Sequence, residues 1–201
     1  MDNSDQSQRE KWDRNYRGSS VDFPRPCRVL DDYGYLLPAS GNALDIACGL
    51  GGNALLLAAA GLNTTAIDIS EVAIDKLQGY AERANLDVHG VVASVSDYYF
   101  ASVEYYQGNF DVITLANYLD RSLFGIIADL LAPGGLLFYQ TFVREKSNLD
   151  SGPQNPEYLL NTNELLSLTA PLVCRVFLDL GSVGETDSGL RDQSCIVVQK
   201  V

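Results

Sequence analysis

The sequence predicts an α/β fold: a doubly wound, mostly parallel seven-stranded sheet with helices on both faces and an antiparallel C-terminal hairpin. Three observations carry that expectation. Short continuous apolar runs, rather than alternating ones, recur between residues 43 and 143, as in strands buried on both faces. Segments with helical spacing separate them, as the crossovers of a parallel sheet require. The last two apolar runs, about 173–180 and 195–200, have only a polar, Gly-rich connection between them and should pair antiparallel.

The elements follow in order. Residues 1–7 read as frayed, and 8–17 as a short helix with Trp12 and Tyr16 on one face at i, i+4. Residues 18–28, with Pro24 and Pro26, form a loop, and a helix around 29–37 leads to the first strand, 43–48. A glycine loop follows, then the apolar stretch Ala54 to Ala60, which stops at Gly61. The second strand is 63–68. Ser70 is suited to cap the next helix, whose Ala73, Leu77, Tyr80, Ala81 and Ala84 recur at helical spacing. Strand three is 88–93 and strand four Phe110 to Ala116. A helix from about Asp120, its N-cap, to Leu131 carries Leu123, Ile127 and Leu130, and Pro133-Gly134-Gly135 ends it. Strand five is Leu136 to Val143. Residues 144–161 are polar, with Gly152, Pro153 and Pro156, and their length makes them a lid candidate. Thr162 caps a short helix holding Leu165, Leu166 and Leu168.

Bulk properties narrow the function. A chain of 201 residues is read as one domain, 1–201, with 1–28 as an N-terminal cap segment. The net charge of −12 repels phosphate backbones, so the expected partner is a small molecule rather than nucleic acid. Cysteines 27, 48, 174 and 195 form no CxxC pair, and with the single His89 they offer no zinc spacing; no metal is expected. Reduced thiols suit a cytoplasmic protein. The polar N-terminus lacks a signal core, and no run of about eighteen apolar residues suggests a membrane span.

The most informative stretch is Leu44-Asp45-Ile46-Ala47-Cys48-Gly49-Leu50-Gly51-Gly52-Asn53. It reads as strand, tight turn and helix, where backbone N–H groups and a helix N-terminus approach a ligand closely. Asp68 ends the next strand, 19 residues after Gly49, where a carboxylate accepts bonds from ribose hydroxyls. An adenosine-containing cofactor is expected. Gly49 to Ala54 also satisfies the dinucleotide pattern G-x-G-x-x-A, so two cofactors compete. Asp45, inside the strand, would repel a pyrophosphate and welcome a cation. The hairpin ending does not suit a two-halved dinucleotide fold. S-adenosylmethionine carries a sulfonium, an ammonium and an adenosine without phosphate, and fits better.

In order and spacing, Leu44 to Gly51, Ala66-Ile67-Asp68-Ile69-Ser70, Phe110-Asp111-Val112-Ile113 and Leu131-Ala132-Pro133-Gly134-Gly135-Leu136-Leu137 resemble the class I S-adenosylmethionine-dependent methyltransferases, with their Rossmann-like sheet. The resemblance covers roughly residues 8–200. Trp12-Asp13-x-x-Tyr16, and Asn155 to Leu160 followed by Glu164-Leu165, resemble its small tellurite-resistance-type group. The resemblance implies that Asp45, Ala47, Gly49 and Gly51 surround the methionine part of the cofactor. It implies that Asp68 holds the ribose, Ile69 lies against the adenine, and Asp97 or Ser96 meets the adenine amino group. It places Asn117 at the methionine end or the acceptor. Ala47 departs from the pattern, since glycine is common there.

Methyl transfer is an in-line displacement, so the protein mainly aligns acceptor and methyl group and excludes water. An alcohol or ammonium acceptor needs deprotonation, whereas an anionic sulfur, selenium or tellurium does not. His89, at the start of strand three, lies at the wrong edge of the sheet for a base. Candidates at the correct edge are Asn117, Tyr118, Asp120, Arg121, Tyr139 and Gln140, and the catalytic set is Asn117, Tyr118 and Arg121. Arg121 either fixes an anionic substrate or is a solvated residue of a first helical turn. Tyr139 reads as core. Trp12 and Tyr16 either cover the cofactor or simply pack their helix. Tyr98, Tyr99, Tyr105 and Tyr106 either wall the acceptor pocket or pack a loop. The leading expectation is a methyltransferase acting on a small molecule. The alternatives are an NAD(P)-dependent oxidoreductase, a non-catalytic S-adenosylmethionine-binding protein and a methyltransferase of basic proteins.

Overall fold

Seven strands form one sheet in a computed structural model that describes residues 3–95 and 107–201. They are β1 (Asn42–Ile46), β2 (Asn63–Asp68), β3 (Val88–Val92), β4 (Phe110–Ala116), β5 (Leu131–Phe142), β6 (Val173–Leu178) and β7 (Gln193–Gln199). Their order is β3-β2-β1-β4-β5-β7-β6. Pairs β1–β2, β1–β4, β2–β3 and β4–β5 are parallel, and β7 runs antiparallel to both β5 and β6. The expected hairpin is there, but its second strand inserts beside β5 and leaves β6 at the edge.

Among the described residues, six helices accompany the sheet: α1 (Asn3–Arg17), α2 (Arg28–Tyr33), α3 (Gly52–Ala59), α4 (Glu71–Ala84), α5 (Leu123–Leu130) and α6 (Glu164–Leu168). Strand alternation sorts the core into two faces. On one, Leu44, Ile46, Ile113, Leu115, Leu137 and Tyr139 pack against Leu123, Phe124 and Ile127 of α5. On the other, Ala43, Val112, Phe138 and Val197 meet α2 and α3 through Val29, Leu30 and Leu57. The inward residues of α4, Ile74, Leu77 and Tyr80, cover Ala66 and Val88 on that side. Ser70 caps α4 as expected, its hydroxyl accepting from Ala73 N–H at 3.1 Å.

Several boundaries differ from the sequence reading. Helix α1 starts at Asn3 rather than residue 8. Helix α2 ends at Tyr33 and continues only as a 3₁₀ turn over Gly34–Leu36. Pro133-Gly134-Gly135 lies inside β5 instead of before it. The register jumps from Leu131 opposite Phe110 to Leu136 opposite Val112, and this irregularity absorbs the proline that a regular ladder would reject. Asp120 does not cap α5. Its Oδ1 accepts from Ser122 N–H and Oγ–H, forming a turn one step before the helix. Thr162 is likewise displaced: Asn163, in the left-handed region at φ 61°, precedes α6.

Strand order reverses direction at β1 and β4. The connections leaving their carboxyl ends part to opposite sides, which opens a crevice there.

Candidate active site

The base of the crevice is Asp45, fully buried in β1 and opposite Thr114 of β4. Its carboxylate accepts from Thr114 Oγ1 at 2.8 Å, Asn53 Nδ2 at 3.3 Å and Ala54 N–H at 3.1 Å. Asp45 thereby ties the strand to the first turn of α3. Burial pushes its acid up to about 7, although those three donors pull it down. Asn53 in turn accepts from Cys27 N–H at 2.8 Å, which joins the entry of α2 to the same cluster.

Above Asp45 the chain makes a loop of left-handed residues, Ala47 (φ 51°), Gly49 (φ 54°) and Gly51 (φ 83°). Gly51 tolerates no side chain, because a Cβ there would stand 2.2 Å from Leu77 Cδ1. Ala47 holds its conformation against a steric cost, which accounts for glycine being common at that position in the resembling family. Asp68, only 5% exposed, closes the far side. Its Oδ2 accepts from Gly49 N–H at 2.8 Å and its Oδ1 from Ser70 N–H at 2.9 Å. Burial raises its acid, and the backbone donors oppose the rise. Ile69 follows, half-buried.

Helix α1 lies over this loop. The Tyr16 hydroxyl would be 2.9 Å from a Cβ on Gly49, and Trp12 stacks on Tyr16 with ring centroids 5.8 Å apart. Asp13 accepts from Ser70 Oγ–H at 2.6 Å, and Lys76 donates to the Tyr16 and Ser19 carbonyls at 2.7 and 2.8 Å. Burial, then the charges of Asp68 and the Cys48 thiol, raise the Tyr16 phenol. At the other end, Asp5 is among the charges that raise the Tyr118 phenol, after burial and Asp120. Fifteen residues of helix span about 22 Å.

At the carboxyl end of β4, Asn117 takes φ 57° and is exposed, and its N–H donates to the Gln140 carbonyl at 2.9 Å. Tyr118 follows at 36% exposure. Its carbonyl accepts from the hydroxyl of Tyr139, which is fully buried, as expected of a core residue. The Arg121 guanidinium, read either as the anchor of an anionic substrate or as a solvated group, is engaged within the protein. It donates to Glu164 Oε1 and Oε2 at 2.6 and 3.1 Å and to the Glu157 and Leu159 carbonyls at 2.9 and 3.1 Å. This clasp fastens the end of the 144–161 segment to α6. The segment's start is held at Asp192, which accepts from the Ser147 and Asn148 N–H groups.

The structure therefore brings Asp45, Ala47, Gly49, Gly51, Asp68, Ile69, Trp12 and Tyr16 together, with Asn117 and Tyr118 at the neighbouring strand end. Ser96, Asp97, Tyr98, Tyr99, Tyr105 and Tyr106 lie outside the described residues. His89 is exposed near the amino end of β3. Sequence reasoning missed Asn53, Thr114, Asp13 and Lys76. Asn53 is visible in the loop motif as the residue after the glycines; Thr114 has no signal except its register opposite Asp45. Among the described residues, no His, Cys, Asp and Glu group is arranged to hold a metal ion, and no helix is long and apolar enough to cross a membrane.

Two carboxylates, one beneath and one beside the loop, oppose a pyrophosphate and suit a cationic nucleoside. The residues present fit S-adenosylmethionine as the cofactor. Known proteins agree. Residues 22–171 match the family model described as "Methyltransferase domain". A ubiquinone biosynthesis O-methyltransferase of Actinobacillus pleuropneumoniae is 29% identical over 72% of this chain and 68% of its own length. Across five such relatives the chain spans 53% to 68% of their length. The crystal structure of TehB from Haemophilus influenzae superposes with a TM-score of 0.66 at 18% identity, over 96% of this chain and 67% of that one. Geranyl diphosphate C-methyltransferase of Streptomyces coelicolor, solved with S-adenosyl-L-homocysteine, gives 0.65 at 17% identity, over 87% and 75%. At such identities these two share the fold. The chain belongs to the methyltransferase domain family, and its methyl donor is S-adenosylmethionine.

Proposed function

We propose that this chain methylates a small molecule at oxygen, with Asp45, Ala47, Gly49, Gly51, Asp68, Ile69, Trp12 and Tyr16 around the cofactor and Asn117 and Tyr118 at the acceptor. The observation that carries the reading is the pair of buried carboxylates, Asp45 and Asp68, on either side of a left-handed glycine loop at the β1/β4 crevice. When bound, the cofactor supplies a methyl group on a sulfonium that leaves as a neutral thioether. The protein contributes position and dryness. Asp68 holds the nucleoside, the free loop amides meet the methionine carboxylate, Asp45 lies behind the loop on the side of the cationic groups, and α1 lies over the loop.

Oxygen as the accepting atom rests on the O-methyltransferases that this chain resembles. A small-molecule acceptor, rather than nucleic acid, suits the net charge of −12. Four free cysteines support a reducing, cytoplasmic setting. Calorimetry with S-adenosylhomocysteine and with NAD tests the cofactor. Binding of the first alone is expected, and binding of NAD alone would overturn the proposal. Transfer of label from methyl-tritiated S-adenosylmethionine to small molecules, and not to protein, tests the acceptor class.

A further inference from the structure

Three side-chain amides run along the carboxyl edge of the sheet and end at Asn117. The first link is the backbone N–H of Val29, in the first turn of α2, which donates to Gln140 Oε1 at 2.8 Å. A backbone N–H can only donate, so Gln140 is held with its oxygen toward Val29 and its NH₂ away. Gln140 is 4% exposed, and turning it over would strand a buried donor against another donor. Gln140 Nε2 donates to Gln193 Oε1 at 2.6 Å. Gln193 then has only its NH₂ to offer, and Nε2 donates to Asn117 Oδ1 at 2.6 Å. The polarity fixed at Val29 is thus handed on twice. Asn117 keeps its Nδ2 hydrogens, and no described residue accepts them. The residue is exposed at the end of β4, and its main chain is tied to β5 through Gln140 as well.

We infer that this relay fixes Asn117 as a hydrogen-bond donor toward the methyl acceptor, and that the acceptor arrives as an oxyanion, an ionised acidic hydroxyl or a carboxylate. The inference rests on the methyltransferase reading and narrows its substrate class. A protonated amine would set N–H against N–H. Asn117, presenting only donors, takes no proton. The step balances without one: a lone pair of the oxyanion forms the O–CH₃ bond, the C–S bond breaks, and its electron pair passes to sulfur. Both charges vanish together. Gln140 and Gln193 are positioning residues in this scheme.

The variant Gln193→Glu tests the relay. A carboxylate there accepts from Gln140 and from Asn117 alike, so Asn117 turns its Oδ1 to the crevice. Hydrogen exchange of the Asn117 side-chain amide, followed in ¹⁵N–¹H spectra of the full chain with and without S-adenosylhomocysteine, reads the orientation without any acceptor. At least tenfold slower exchange is expected in the variant, and equal exchange overturns the relay. Wild-type chain is then incubated with methyl-tritiated S-adenosylmethionine and a deproteinised small-molecule extract, and the labelled product is identified by mass spectrometry. A methyl ether or ester is expected, with kcat/KM at least tenfold lower in Gln193→Glu and affinity for S-adenosylhomocysteine within twofold of wild type. Label on nitrogen overturns the inference. So does lost affinity for S-adenosylhomocysteine with unchanged turnover, which would assign the amide to the methionine carboxylate. Absence of any S-adenosylhomocysteine binding in the wild type would instead overturn the methyltransferase reading, and the exchange result would still judge the relay.

Discussion

Replacing Asp45 by Asn separates charge from hydrogen bonding at the centre of the site. The group is fully buried, and its acid is pushed from the ordinary 3.8 up to about 7. Between those values the unfolded chain has released its proton while the folded chain keeps it. The folded state then binds more protons, so stability falls as pH rises through this window. Each pH unit is worth about 1.4 kcal/mol. Over about three units this single group removes about 4 kcal/mol, with no further effect below about 4 or above about 7. Asn carries no charge and erases that slope. It also has a cost of its own. Asn53 cannot turn over, because Cys27 N–H holds its oxygen, and the Ala54 N–H can only donate. An amide at position 45 satisfies one of these two and strands the other, at about 1–3 kcal/mol regardless of pH. Urea denaturation of both proteins at pH 5 and pH 7.5 resolves the two effects. The variant should be the less stable at pH 5, and the gap should move in its favour by about 3 kcal/mol at pH 7.5. A gap that does not move with pH would refute the reasoning, since it would mean that Asp45 is ionised in the folded chain throughout.

Asp68→Ala removes the acceptor that meets Gly49 and Ser70 N–H groups, and should weaken S-adenosylhomocysteine binding by about 1–3 kcal/mol in calorimetry. Unchanged affinity would remove Asp68 from the ribose. Ala47→Gly relieves a left-handed residue worth about 1 kcal/mol and should raise the melting midpoint by about 2–4 °C. A lower midpoint would show that the loop is not strained there. Arg121→Ala removes the guanidinium from Glu164, which keeps only its Asn161 donors, and from the Glu157 and Leu159 carbonyls, so trypsin should cut at Arg144 and Lys146 about tenfold faster, the equivalent of about 1.4 kcal/mol. Cleavage at the wild-type rate would mean that the clasp does not hold the 144–161 segment.

The sequence by itself determined which segments are strands and helices, because apolar periodicity, Ser70 and the glycines act within windows of a few residues. It also determined the loop with its two carboxylates, since Asp45, Gly49 and Asp68 sit at fixed distances along one strand–turn–helix–strand path. Tertiary structure decided what periodicity does not encode. That β7 inserts between β5 and β6 depends on which edge it meets, not on its own composition. Thr114 faces Asp45 because two strands 69 residues apart settle in one register. Arg121 is claimed by Glu164, 43 residues on, although nothing near Arg121 distinguishes it from a substrate anchor. The amides of Gln140 and Gln193 gain a direction only because α2 delivers the Val29 N–H beside them. Hydrogen-bond polarity is a property of the assembled contact, and no single stretch of chain contains it.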